Sequence, residues 1–151
     1  MILQRLKQAT RERHAALEIQ LPLMQPDLSL AAYRRFVARF LGYYAPLEAA
    51  MLPLPWWQQL GLTYSDRRKS PRLEQDLLAL GMGPNSVQQL AQCLDLPPLE
   101  SLPQLLGCLY VVEGATLGGQ IITRQLHTTL GLTASTGVSF FSGYGEHTGS
   151  R

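Results

Sequence analysis

The sequence predicts an all-α protein, and three observations carry that prediction. Apolar residues recur at helical spacing in several separate stretches, and no stretch alternates as a half-buried strand does. One long apolar segment runs from Leu102 to about Leu130 and is closed by Gly131. No internal repeat and no low-complexity tract interrupts this pattern.

The elements follow in order. Leu3, Leu6, Thr10, His14 and Leu17 form one face of an amphipathic helix running to about Glu18, and Leu21-Pro22 and Gln25-Pro26 break it. Asp27 or Ser29 can cap a second helix, whose buried face carries Tyr33, Phe36, Val37, Phe40, Leu41 and Tyr44. Pro46 kinks that helix or starts a new turn that continues through Leu47 and Met51. Pro53, Pro55, Trp56 and Trp57 make a loop or short turn. Pro71 opens a short helix from Arg72 to Leu80, ended by Gly81, and Asn85-Ser86 opens another to about Leu94. Pro97-Pro98 separates it from the long segment. After Thr133 the chain turns polar around Phe140-Phe141, where Gly143, Gly145 and Gly149 discourage helix.

Length and composition bound the function. The chain has 151 residues, so one domain, 1–151, is expected. At 46% hydrophobic and 16% charged it has ample apolar material for a core. Thirteen Lys+Arg against eleven Asp+Glu leave +2, too balanced for nucleic acid or a membrane surface to be the main partner. The basic run Arg67, Arg68, Lys69 and Arg72 reads as a solvated face. Cys93 and Cys108 fit no redox or zinc spacing and read as two buried thiols in a reducing compartment. The N-terminus interleaves charge with apolar residues, and no segment approaches eighteen consecutive apolar residues. A soluble, cytoplasmic protein is expected.

Two features carry chemistry. The first is Gly114, Gly118 and Gly119, three glycines within six residues of an apolar helix. Each costs roughly 0.5–1 kcal/mol relative to Ala in a helix interior. Tight helix packing is one reason to keep them, and backbone laid bare for a ligand is the other. The second is His14, either a packed core histidine or a ligand. Glu18 at i+4 can orient its imidazole, as a carboxylate does for a metal-bound histidine. Lys7 lies two turns earlier and about 20° around the helix, placed to meet an anionic group of a ligand centred on His14. His127, near the end of the long helix, reads as structural, and His147 as exposed.

These residues resemble the haem oxygenases, particularly their bacterial biliverdin-forming branch. Leu6 to Glu18 is similar to the family's proximal helix, with the iron-ligating histidine at His14. Tyr110 to Gln120 is similar to the distal helix, with its Gly-x-x-x-Gly-Gly-Gln pattern. Ser139 to Gly145 resembles the segment after it, so the likeness covers nearly the whole chain.

The resemblance implies a helical bundle with a kinked distal helix. It implies haem as substrate and cofactor, with His14 as its iron ligand. Glu18 would orient that ligand, Lys7 would pair with a propionate, and Tyr110 would lie near one. Gly114, Gly118 and Gly119 would be the catalytic backbone surface over bound O2. The expected reaction opens the macrocycle to biliverdin, CO and iron, with electrons from a ferredoxin, flavodoxin or reductase. A bilin-binding photoreceptor is a possible recipient of the product. The alternative is a haem- or bilin-binding relative without turnover, and a third reading is a helical protein with no cofactor at all.

Two departures from the family pattern stand out. Animal-type members carry a carboxylate after the first distal glycine, where this chain has Ala115; Glu113 or ordered water are the substitutes on offer. The family continues into C-terminal helices that cover the haem, and this chain is expected to lack them, because it stops at Arg151.

Overall fold

The computed structural model describes residues 1–145, apart from the side chains at positions 116 and 117. Seven α-helices form the described part: α1 (Ile2–Gln20), α2 (Leu30–Met51), α3 (Trp57–Leu60), α4 (Ser70–Ala79), α5 (Pro84–Gln88), α6 (Leu102–Leu130) and α7 (Ser139–Ser142). Two 3-10 turns, Pro22–Met24 and Tyr64–Arg67, lie between them, and there is no strand among the described residues. The all-α prediction holds, with a long, kinked α6.

Three helix-boundary expectations resolved in different ways. Ser29, not Asp27, caps α2, its hydroxyl accepting from the Ala32 N–H at 3.1 Å. α2 then runs unbroken through Pro46 to Met51. α5 ends at Gln88, well before Leu94, because the chain beyond it is drawn against α2, where the Cys93 N–H donates to the Gly42 carbonyl at 2.8 Å. Gly42 is required there: an added Cβ would run into the Ala91 carbonyl oxygen.

One hydrophobic core unites α2, α4, α6, α7 and the first 3-10 turn. Tyr33, Val37, Leu47 and Met51 of α2 face Leu73 and Leu77 of α4, and Leu105, Val112 and Leu126 enter from α6. Phe140 and Phe141 close it, packed edge-on or tilted against Phe40 and, for Phe140, Tyr44. Burial raises the hydroxyl pKa of Tyr33 and Tyr44. Tyr33 uses its hydroxyl to reach across the fold, donating to the Gly137 carbonyl at 2.8 Å.

Two buried carboxylates set the helix order. Glu48 of α2 is fully buried and receives the Ser70 N–H at 3.2 Å, the Lys69 N–H and the Ser70 hydroxyl. It thereby supplies from another helix the negative end that the start of α4 needs. Asp76 of α4 repeats the device one step on. It accepts from the N–H groups of Ser139 at 2.7 Å and Phe140 at 2.9 Å, at the start of α7. Burial pushes the Asp76 carboxyl up, while those N–H groups and Arg72 pull it back toward the charged form.

This arrangement corrects three expectations. The Ser139–Ser142 stretch is helical although Gly143 and Gly145 follow, because Asp76 satisfies its first N–H groups and Gly143 ends it. The basic run at 67–72 is not a solvated face: Lys69 is 4% exposed, and Arg68 reaches Glu48 at 3.4 Å. The apolar face of α1 is not buried. Leu3 is 58% and Leu17 54% exposed, and no α1 residue is buried. Thr10 and His14 interrupt that face, leaving three leucines to bury, while the core closes on itself through α2, α4, α6 and α7.

Asp76→Ala would leave the Ser139 and Phe140 N–H groups without their acceptor, which costs about 1–3 kcal/mol. A lower urea midpoint with an unchanged denaturant slope is the expected result.

Candidate functional site

α1 displays His14 and Glu18 on adjacent turns. The His14 Nδ1 lies 3.2 Å from Glu18 Oε1, with both side chains about two-thirds exposed (70% and 66%). With Nδ1 donating to the carboxylate, the neutral ring keeps its lone pair on Nε2, the nitrogen then available to a metal. Lys7 is exposed on the same helix, two turns toward the N-terminus. Thus the structure brings His14 and Glu18 together and keeps Lys7 about 10 Å along the axis.

α6 separates its three glycines into two kinds. Gly119 is buried, and a Cβ there would run into the Phe141 backbone carbonyl. Packing against α7 explains that glycine. Gly114 and Gly118 are exposed, and a Cβ at either would meet nothing within 4 Å. No neighbour among the described residues asks for a glycine at those two positions. With Tyr110, 41% exposed, they follow one another at i+4 and lie on one open face of the helix.

The candidate proximal and distal parts are therefore both solvent-facing, and α1 makes no substantial contact with α6 among the described residues. Their chemistry fits a haem. An imidazole with its other nitrogen held by a carboxylate would suit as a donor to the iron, and bare helix backbone would leave room for a flat ring. Among the described residues, no group of three or more His, Cys, Asp or Glu side chains could hold a metal ion. A haem brings its own ring nitrogens to the iron and would ask only one donor of the chain, a demand that the exposed His14 could meet.

Glu113 lies on the other flank of Gly114 from Ala115, where the family's animal-type members carry their carboxylate. Two residues along a helix put their side chains about 200° apart, on opposite flanks of Gly114. Glu113 is also engaged: Lys69 Nζ reaches Oε1 at 3.1 Å, Arg67 Nη1 lies 3.7 Å from Oε2, and the Tyr144 hydroxyl donates to Oε2 at 3.2 Å. The participation of Lys69 and Tyr144 was not anticipated from sequence, although Glu113 falls one residue before the glycine face. His127 behaves as a structural residue at the end of α6, its Nδ1 3.3 Å from the Leu132 carbonyl. His147 lies outside the described residues. Cys93 and Cys108 are free and half-buried rather than buried.

α6 is long and apolar enough to cross a membrane by length and composition, but Leu105, Leu109, Val112 and Leu126 place one of its faces in the core.

The contrast between adjacent glycines is directly testable. Gly119→Ala should destabilise the fold by about 1–3 kcal/mol, the usual range for overpacking. Gly118→Ala should be neutral or stabilise it by about 0.5–1 kcal/mol, the helix-propensity gain. Thermal melts of the two purified variants against the parent check both signs.

Comparison with known proteins identifies the family. A relative described as "Heme oxygenase" from Xanthomonas campestris pv. campestris (strain 8004) is 37% identical over 67 residues. That match covers 44% of this chain and 36% of the relative's own length. No solved structure matches. The family model described as heme oxygenase matches residues 1–148, nearly the full length, and the chain belongs to the haem oxygenase family.

Proposed function

We propose that this chain binds haem between α1 and the open face of α6 and acts as a haem oxygenase, forming biliverdin, CO and iron. The observation that carries the proposal is the bare backbone of Gly114 and Gly118, exposed on α6 with no packing partner among the described residues that requires glycine. Family membership and the His14–Glu18 pair support it. The whole of residues 1–151 is read as one domain of the biliverdin-forming bacterial kind.

His14 would ligate the iron through Nε2, and Glu18 would hold the ring's orientation through Nδ1. Lys7 would pair with a propionate, and Tyr110 would lie beside the ring on the α6 side. Gly114 and Gly118 would lie against the distal side without a Cβ to push it away, and Gly119 would hold that stretch of α6 against α7. Haem supplies the oxygen chemistry when bound; the chain supplies ligation, orientation and steric direction. O2 and electrons come from outside, the latter from a ferredoxin, flavodoxin or reductase. The site of action is cytoplasmic, and a bilin-binding photoreceptor is one recipient of the product.

A second reading has its own observation. With Ala115 on one flank of Gly114 and Glu113 engaged by Lys69, Arg67 and Tyr144 on the other, no free carboxylate among the described residues is placed to organise protons over the ring. That favours a haem or bilin binder without turnover.

Haem added to the purified protein, with reductant in air, separates these readings. A Soret band that decays to a broad red absorption with CO release supports the oxygenase, and a stable Soret band supports the binder. In the same assay His14→Ala should shift the ferric Soret band and lower product formation by at least about tenfold. Parental spectra and rates in that variant would overturn the assignment of His14.

A further inference from the structure

Beyond the residues assigned to haem, a second set of side chains converges on the segment that follows α7. Tyr144 sits between Gly143 and Gly145, whose φ angles of 56° and 62° lie in the left-handed region. Two such permissive joints give residues 143–145 little conformational rigidity of their own. Their position therefore depends on the contacts they make, those of Tyr144 foremost.

The grip is ionic and largely shielded from water. The Tyr144 hydroxyl accepts from Lys69 Nζ at 2.6 Å and donates to Glu113 Oε2 at 3.2 Å. Its ring lies under two cations, with Lys69 Nζ 4.6 Å and the Arg72 guanidinium 5.5 Å from the centroid. Arg72 also donates to the Gly143 carbonyl, and Arg67 adds a second cation on Glu113. The Lys69 side chain is only 5% exposed, so these charge-assisted bonds escape most of the screening that weakens surface pairs.

α7 and the segment after it are together fastened to α6 at three points. Phe141 backbone abuts Gly119, the Gly145 carbonyl accepts from Gln120 Nε2 at 3.3 Å, and Tyr144 engages Glu113. Positions 113 to 120 span about 10 Å of helix. Both open glycines, Gly114 and Gly118, lie within that span.

We propose that Tyr144 is a positioning residue of the haem site: seated among Lys69, Arg72, Arg67 and Glu113, it holds residues 143–145 as a fixed wall along the flank of α6 beside Gly114 and Gly118. The proposal rests on the reading of those glycines as haem-facing. It also gives Glu113 its task, which is to anchor the wall.

Two conservative variants test it. Tyr144→Phe keeps the ring beneath its cations and removes both hydroxyl bonds, and Glu113→Gln keeps the shape and removes the charge. The readouts are CO association with the ferrous haem complex after flash photolysis, and hydrogen exchange of residues 143–145 in the haem-free protein. Each variant should exchange faster there and change the CO rate about fivefold, with the double variant adding little to the larger single effect. CO rates within about twofold of the parent in both variants would overturn the proposal, whatever the melting temperature does, and reduce the cluster to a brace. If the parent chain takes up no haem, the haem reading itself falls and the proposal with it, an outcome distinct from unchanged CO rates.

Discussion

A fully buried carboxylate, Glu48, is the constraint on which the rest of this structure depends. A charge that far from water is tolerated only when it is hydrogen-bonded or paired. Glu48 meets that demand with the first N–H groups of α4 and with Arg68, so α4 has one place to begin. Asp76, on α4, then sets where α7 begins. α7 in turn meets Gly119, and the residues after it reach Glu113. The order runs α2, α4, α7, α6: a buried carboxylate at the start of the next helix makes each of the first two steps, and packing of α7 on Gly119 makes the last. The apolar core fills the space between them without deciding this sequence of contacts.

That order places the candidate site at the far end of a rigid chain of contacts. The flank of α6 is braced by α7 and by the basic residues at 67–72, while the face carrying Tyr110, Gly114 and Gly118 is left open. α1 is attached differently: its histidine and glutamate are arranged by the helix itself and owe nothing to the core. One side of the site is thus built into the fold and the other is local. Braced backbone on one side and a locally set imidazole–carboxylate pair on the other are what the proposed reaction, with its chemistry in the cofactor, would ask of the protein.

Much of this was legible in the residues. Helical periodicity marked α2 and α6 because each buries a continuous stripe, and Gly81 and Gly131 ended helices where their left-handed backbone was needed. His14 and Glu18 could be paired on paper because i,i+4 neighbours on a helix meet without help from tertiary structure. The basic run at 67–72 was misread for the opposite reason. Whether a lysine is solvated or buried depends on the partner that reaches it, and Glu48, Glu113 and Tyr144 come from parts of the chain far away in sequence. α7 escaped notice likewise: four residues before a glycine have no helical signal of their own, and Asp76 supplies it from 63 positions upstream.

By itself, then, the sequence determined what depends on neighbours within a turn or two: the longer helices, the glycines that end them, the His14–Glu18 pair and the presence of glycine at 114, 118 and 119. Only the tertiary structure decided which glycine packs and which lies open. It alone decided that Glu113 is held by Lys69, Arg67 and Tyr144, and that the apolar face of α1 lies outside the core. The physical reason is range. Periodicity and capping act along the chain, whereas the environment of a charge or a bare Cα is set by whatever the fold brings against it.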